Sequence, residues 1–232
     1  MSESSSFLDF RQGLEEVRRI LKLANGNAAT DQDPELPATL LKGAVVLLVA
    51  HFEAYLKSIA EEFSDAALNG ERAASRIPMS LRMLHTRALL DEIRSARDEQ
   101  QLQNLLSKKL VSNSKSWVSS ARPDKQAFRD GLLKRQVTNA TADCINELFR
   151  LMGERRSVCD GDVEVSTSEQ EDHPVNIALS LRSIVQVRNN IAHGNEHVPL
   201  TDLDVQSHVL FIEAFAKRLD RHTLRLIRDL ED

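Results

Sequence analysis

The sequence predicts an all-α protein, a helical bundle that carries an irregular insertion. Three observations predict it. Leucine, alanine, arginine and glutamate are plentiful, whereas glycine (8), proline (6) and aromatic residues (4%) are few, a balance that favours helices over sheets. Apolar residues recur at three- and four-residue spacing along most of the chain. No segment shows a convincing run of period-2 alternation, so no strand is expected. With 232 residues, 41% hydrophobic and 28% charged, the chain is long enough to bury a proper core. The expectation is a single domain over residues 1–232, with the insertion at about 100–174.

The first helix is expected over "FLDFRQGLEEVRRILKLA", where Phe10, Leu14, Val17 and Leu21 share a face. "NGNAATDQDPELP" is a connector rich in turn residues. Pro37 then suits the first position of a helix, where its missing N–H is not needed. That second helix is read to about Leu68. Leu41, Ala44, Val45, Leu48, Phe52, Tyr55, Ile59 and Phe63 form one stripe, and Val46, Val49, Ala50 and Ala60 a second. A helix apolar over most of its circumference packs on more than one side, so this one is the candidate centre of the domain or of a dimer. After the connector "NGERAASRIPMS", helical pieces are expected near 79–95 and 98–111, then a polar, less regular stretch over 112–141. "TADCINELFRLM" reads as a further helix with Cys144, Ile145, Leu148 and Leu151 on one face. Residues 160–172 hold six acidic residues and no basic one, the composition of a solvated, mobile loop of undetermined role. Asn176 is the candidate cap of the next helix and Gly194 its stop. The last helix begins at "TDLD", with Thr201 as cap and Asp204 three residues on.

The net charge of −5 excludes a globally basic nucleic-acid binder but leaves room for a local basic patch. Cys144 and Cys159 form no CxxC or other zinc-ligand spacing, and the natural reading is a reducing cytosol. The start "MSESSSFLDF" has no basic region followed by an apolar core, so no signal peptide is evident. "TLLKGAVVLLVAHFEAYL" contains Lys42, His51 and Glu53, and its apolar run is too short to span a bilayer. No membrane association is expected, and no cofactor or metal. Glycine-rich phosphate loops are lacking, and His173, His197, His208 and His222 show no metal-ligand spacing.

The stretch that carries chemistry is "VQVRNNIAHGNE", residues 186–197. Arg188 offers a planar fork of donors for a phosphate, and His193 can move a proton near neutral pH. Five helical residues are about 500°, so the two side chains point roughly 140° apart. They converge on one phosphate more readily if this helix meets a second copy of itself. Asn189 shares the face of His193 and is placed to orient the imidazole. Spacing alone says little: chance supplies roughly 0.6 such pairs in a chain of this composition.

Context adds weight. "RNNIAHGN", near the start of the last long helix of an all-α chain, resembles the R-x4-6-H signature of the HEPN superfamily. "LLKGAVVLLVAHFEAYLKSIA" is similar to the central helix of bacterial HEPN proteins of the RiboL-PSP and related branches, which often have a glutamate where Glu53 stands. The resemblance covers residues 37–68 and 175–230, and 100–172 has no counterpart. It implies a helical fold that dimerises, with two R-x4-6-H motifs facing across a composite cleft. It also implies a metal-independent endoribonuclease of toxin–antitoxin or phage-defence type, with an antitoxin or operon-encoded protein as a further partner. Some members have lost catalysis and only bind RNA, a nucleotide or a partner protein. On this resemblance the candidate catalytic set is Arg188, His193, Asn189 and Glu53. Glu53 also has an i, i+4 neighbour in Lys57, which reads equally as a helix ion pair.

Candidate RNA contacts are Lys57, Lys108, Lys109, Lys115 and Trp117. Residues 108–135 hold eight basic residues against Asp124 and Asp130, with Trp117 and Phe128 interleaved. Phosphate tracking with stacked bases has this composition, and so does an exposed charged segment.

Overall fold

A computed structural model describes residues 3–26, 34–68, 72–123, 125–166, 172–194 and 199–231. Most of the first connector, His197, Asp124 and the acidic residues Glu169 and Glu171 lie outside the described residues. The protein is all-α apart from one two-stranded hairpin among the described residues. In chain order the elements are α1 (Ser5–Ala24), α2 (Leu36–Leu68), α3 (Met79–Arg94), α4 (Glu99–Asn104), a π-helical turn (Leu105–Leu110), α5 (Val111–Ser114), α6 (Ala142–Leu151), β1 (Asp162–Val165), β2 (His173–Asn176), α7 (Ile177–Ala192) and α8 (Asp202–Asp229). Short 3-10 turns fill parts of 74–136.

The chain divides into two compact units. The first comprises Met1–Ser58, Val137–Ile145 and Val158–His222; the second comprises Ile59–Gln136, Asn146–Ser157 and Thr223–Asp232.

In the first unit α1 starts two residues earlier than the apolar spacing suggests. The Ser4 side chain accepts from the Phe7 amide at 3.1 Å, which satisfies one of the N–H groups that a helix start leaves without partners. The core is aromatic. Phe7, Phe10, Phe52, Tyr55, Phe211 and Phe215 are all buried. Their ring centroids lie 5.1–6.4 Å apart in the contacting pairs Phe7–Phe10, Phe10–Tyr55 and Phe52–Phe215. Pairs of this kind add about 0.5–1.5 kcal/mol to the burial of the rings themselves. The Tyr55 hydroxyl donates to the Ala216 carbonyl at 3.0 Å, so this buried ring carries its polar end satisfied. Five of the chain's eight phenylalanines and its one tyrosine gather here, which explains how an aromatic-poor sequence still builds a dense centre. Gly13 is needed where α1 crosses α2: a Cβ at that position would lie 2.6 Å from the His51 ring.

Helix α2 is long and apolar enough to cross a membrane by length and composition, although Lys42, His51 and Glu53 interrupt its apolar run. Its side chains place it inside the protein instead: Ala44, Val45, Leu48, Phe52, Leu56, Ile59, Ala60 and Phe63 are 0% exposed. The second stripe read from the sequence divides. Val49 and Ala60 are buried, but Val46 is 38% exposed and Ala50 is exposed. The helix begins at Leu36, so Pro37 is its second residue.

The described residues at the two ends of the acidic segment, 160–166 and 172, are more regular than a mobile loop. β1 and β2 pair antiparallel, Val163 opposite Val175, and Val158, Cys159 and Val165 are buried. Alternation in "DVEV" runs for only four residues, too few to register as a period. Arg218 donates to the carbonyls of Asp162 at 3.0 Å and Asp160 at 3.3 Å, which tethers the strand. Asn176 caps α7, its side chain accepting from the Leu179 amide at 3.1 Å.

In the second unit the buried residues include Ile59, Phe63, Leu81, Leu133, Leu148 and Phe149. Ser80 donates to the Arg150 carbonyl at 2.9 Å, and Arg225 pairs with Glu154. The helix expected over 98–111 is broken into α4, the π-helical turn and α5, with Asp98 capping the first through the Gln101 amide.

Candidate active site on helix α7

The motif occupies the last turns of α7 in the first unit. Ile177, Leu181, Ile184 and Val185 are the buried face of that helix, so the chain must present Val187 to His193 away from its best-buried stripe. Arg188 is half-buried. Its guanidinium donates to Glu53 Oε1 at 2.6 Å, and the two side chains are 26% and 22% exposed. A charge-assisted contact of that length between partly desolvated groups is stronger than a surface ion pair. Glu53 is therefore bound to Arg188 and not to Lys57, its i+4 neighbour, and the helix ion pair read from the sequence is not formed. Lys57 is half-buried on the same helix.

His193 ends the helix. Its backbone N–H donates to the Asn189 carbonyl at 2.9 Å, and the next residue, Gly194, takes φ +74°. A left-handed residue just past a helix end is a position where glycine avoids the Cβ clash. The imidazole is exposed. Among the described residues it has no hydrogen-bond partner, and no bond joins it to the Asn189 side chain or to Arg188. Asn189 thus meets His193 through its main chain, not through the side-chain bond expected from their shared face. The last-turn geometry explains this: residues four apart are linked first by the backbone ladder.

A groove of about 610 Å³ in this unit is lined by α1, β1 and α8 residues, among them Arg11, Asp162, Glu213 and Arg218, and includes neither Arg188 nor His193. Among the described residues no three of His, Cys, Asp or Glu gather as a metal site. Neither cysteine forms a disulfide. Burial, together with Asp160, pushes the Cys159 thiol up to about 12, so it is not a nucleophile near neutral pH.

A family profile described as RiboL-PSP-HEPN matches residues 9–224, nearly the whole chain. The chain belongs to the RiboL-PSP-HEPN family. No curated protein and no solved structure matches it. The family match spans residues 100–172 as well, the stretch for which the sequence resemblance found no counterpart.

The remaining predicted residues of this RiboL-PSP-HEPN protein lie in the second unit. Lys108 and Lys109 sit in the π-helical turn, and Lys115 and Trp117 in the 3-10 turn after α5. The basic segment is partly neutralised: Lys109 and Arg129 both pair with Glu92, at 2.9 and 3.1 Å, and Lys134 pairs with Glu61 at 2.7 Å. Sequence reading did not single out His85. It is 3% exposed, accepts the Arg129 amide on Nδ1 at 3.0 Å, and stands edge-on to Phe128. Its signal was the i, i+4, i+8 series Leu81, His85, Leu89, a buried helix stripe with histidine at its centre.

Proposed function

We propose that this protein is a HEPN endoribonuclease that cleaves RNA without a metal, through a composite site formed when two copies bring their Arg188 and His193 together. The observation that carries the reading is the state of the two motif residues. Arg188 is held at 2.6 Å by Glu53 from another helix, while the His193 imidazole is exposed at a helix end. One residue is fixed, as a phosphate clamp needs, and the other is open to substrate.

The chemistry follows from the substrate. The RNA 2′-oxygen attacks phosphorus as its proton passes to one His193. The bond from phosphorus to the 5′-oxygen then breaks, and that oxygen takes a proton from the other histidine. Two arginines hold the non-bridging oxygens as charge develops on the phosphorane. Glu53 acts as a positioning residue that fixes the rotamer of Arg188.

A second copy is supported by α2. Gly43, Val46, Ala50 and Glu53 fall within an arc of about 80°. Gly43, Val46 and Ala50 are exposed, and nothing lies within 4 Å of a Cβ at Gly43. That stripe of small apolar side chains ends at the residue that holds Arg188, where a partner helix would approach closely. The role that fits such a nuclease is a toxin or phage-defence effector, with an antitoxin or operon-encoded protein as its control. A catalytically silent module that binds RNA, a nucleotide or a protein is the alternative reading.

Two experiments test the proposal. Cleavage of RNA is expected to persist in excess chelator and to leave 2′,3′-cyclic phosphate ends, detected by mass. Activity that vanishes in chelator and returns with a divalent ion overturns the metal-free mechanism. For the composite site, wild-type chains are co-refolded with a large excess of the His193→Ala variant. Activity per wild-type chain is expected to fall severalfold once heterodimers dominate. Full retention, with heterodimers confirmed by mass, removes the shared cleft while leaving the nuclease assignment in place.

A further inference from the structure

Trp117 is the one tryptophan in the sequence, and its setting in the second unit is unusual for a side chain 37% exposed. Its indole Nε1 donates to Thr86 Oγ1 at 3.1 Å. The Arg82 guanidinium lies 5.2 Å from the ring centroid, and is itself held by a bond to the Ser116 carbonyl at 2.9 Å. Burial lowers the pKa of Arg82 from its usual value, and the group stays cationic at any ordinary pH.

The support below the ring is rigid. Ser116 is fully buried, and its hydroxyl donates to the Asn113 carbonyl at 2.6 Å. Asn113 is 1% exposed. It donates to the Ala127 carbonyl at 3.1 Å and lies 3.0 Å from the Thr86 hydroxyl. Backbone bonds from Ala74 to Ala121 and from Ser75 to Ser119 fix the chain beyond the tryptophan. The ring therefore has its only donor satisfied inside the protein and a cation on one face. The exposed remainder of the indole is apolar ring surface already held in place.

We infer that Trp117, backed by Arg82, is a stacking platform for an unpaired base of single-stranded RNA. An aromatic face accepts any base, and a ring that is ordered beforehand gives up little entropy on binding. The charge of the surrounding segment favours nucleic acid over a protein surface. Residues 115–125 hold Lys115, Arg122 and Lys125 against the single carboxylate of Asp124. Lys115, Arg122 and Lys125 are exposed, so they are placed to meet phosphates on either side of the stacked base. The inference takes its substrate class from the ribonuclease reading, but it concerns binding and is independent of Arg188 and His193.

The test uses the intact chain and a 2′-O-methyl oligonucleotide, which lacks the attacking hydroxyl and so is not cleaved. With one tryptophan, intrinsic emission reports on this ring alone. Titration with a single-stranded oligonucleotide is expected to quench it saturably, whereas a duplex of the same composition leaves it nearly unchanged. By anisotropy of a labelled strand, Trp117→Ala is expected to weaken binding at least about fivefold, the lower end of what one stacked base contributes. Arg82→Gln is expected to weaken it less, with the quench reduced. Binding seen by anisotropy without quenching overturns the inference, as does a complete lack of binding. A change in emission that follows protein concentration and not oligonucleotide overturns it in favour of contact with another protein surface. Because cleavage is never read, failure of the nuclease reading shows separately, as intact unmodified RNA.

Discussion

His193→Ala is expected to lower RNA cleavage by about 10²–10⁴-fold, the range for loss of a proton-transfer group, with thermal unfolding unchanged. The imidazole is exposed, and among the described residues it has no hydrogen-bond partner, so truncation breaks no native hydrogen bond. Arg188→Ala is expected to lower cleavage comparably, because in the proposed mechanism the arginine is a donor to the phosphorane. Its effect on stability differs. Arg188 and Glu53 are joined at 2.6 Å with roughly a quarter of each side chain exposed. Removing the arginine leaves a partly desolvated carboxylate without its partner, at a cost of about 1–2 kcal/mol. Adding Glu53→Gln to Arg188→Ala is expected to recover part of that stability and none of the activity. The measurement is single-turnover cleavage beside denaturant unfolding for each variant. Wild-type rates in His193→Ala take the motif out of the mechanism; a large loss of stability in that variant contradicts the exposed placement of the ring.

The second large effect concerns acid. Burial pushes the His85 pKa down to about 4, against an opposing pull from Asp130. In the folded chain Nδ1 accepts the Arg129 amide at 3.0 Å, and Nε2 is buried without a partner. Protonation would both break the accepted bond and place a charge among Phe128 and Leu89, beside a cavity whose Glu92 is already paired with Lys109 and Arg129. An unfolded chain protonates this residue near 6.5. Between pH 6.5 and about 4 the unfolded state therefore binds more protons, and stability falls as pH falls through that window. Above 6.5 both states are neutral and the group has no pH effect. The shift corresponds to a loss of about 3 kcal/mol. His208, whose pKa burial lowers against the pull of Asp204, acts in the same direction, so the informative quantity is a difference. His85→Gln retains an acceptor for the Arg129 amide and does not titrate. Its stability is expected to fall less than the wild type's between pH 7 and pH 4.5, by about 2 kcal/mol. Parallel pH profiles for the two proteins would show that His85 protonates without penalty in the fold.

Several features were legible in the residues alone. The helices declared themselves because apolar spacing survives without knowledge of partners: Leu14, Val17 and Leu21 on α1, and Ile177, Leu181 and Ile184 on α7, are buried as their period requires. Caps were legible for the same reason, since Asn176 and Thr201 act on amides three residues away. Family membership was readable from "RNNIAHGN" and the central helix, and the profile match over residues 9–224 shows it.

Other features were decided by tertiary structure, because they depend on residues distant in sequence. Glu53 had a local partner in Lys57 and a remote one in Arg188, 135 positions away. Only the packing of α7 against α2 settles which it takes. The β1–β2 pairing joins two four-residue strands, Asp162–Val165 and His173–Asn176, and neither is long enough to announce a period of its own. The basic stretch looked uniform, yet Glu92 and Glu61 from other segments neutralise Lys109, Arg129 and Lys134. Composition counts charges but does not pair them. The sequence by itself determined where the long helices run and which motif they carry. The tertiary structure decided the partner of each charged side chain, because an ion pair depends on distance in space, which spacing along one chain does not specify.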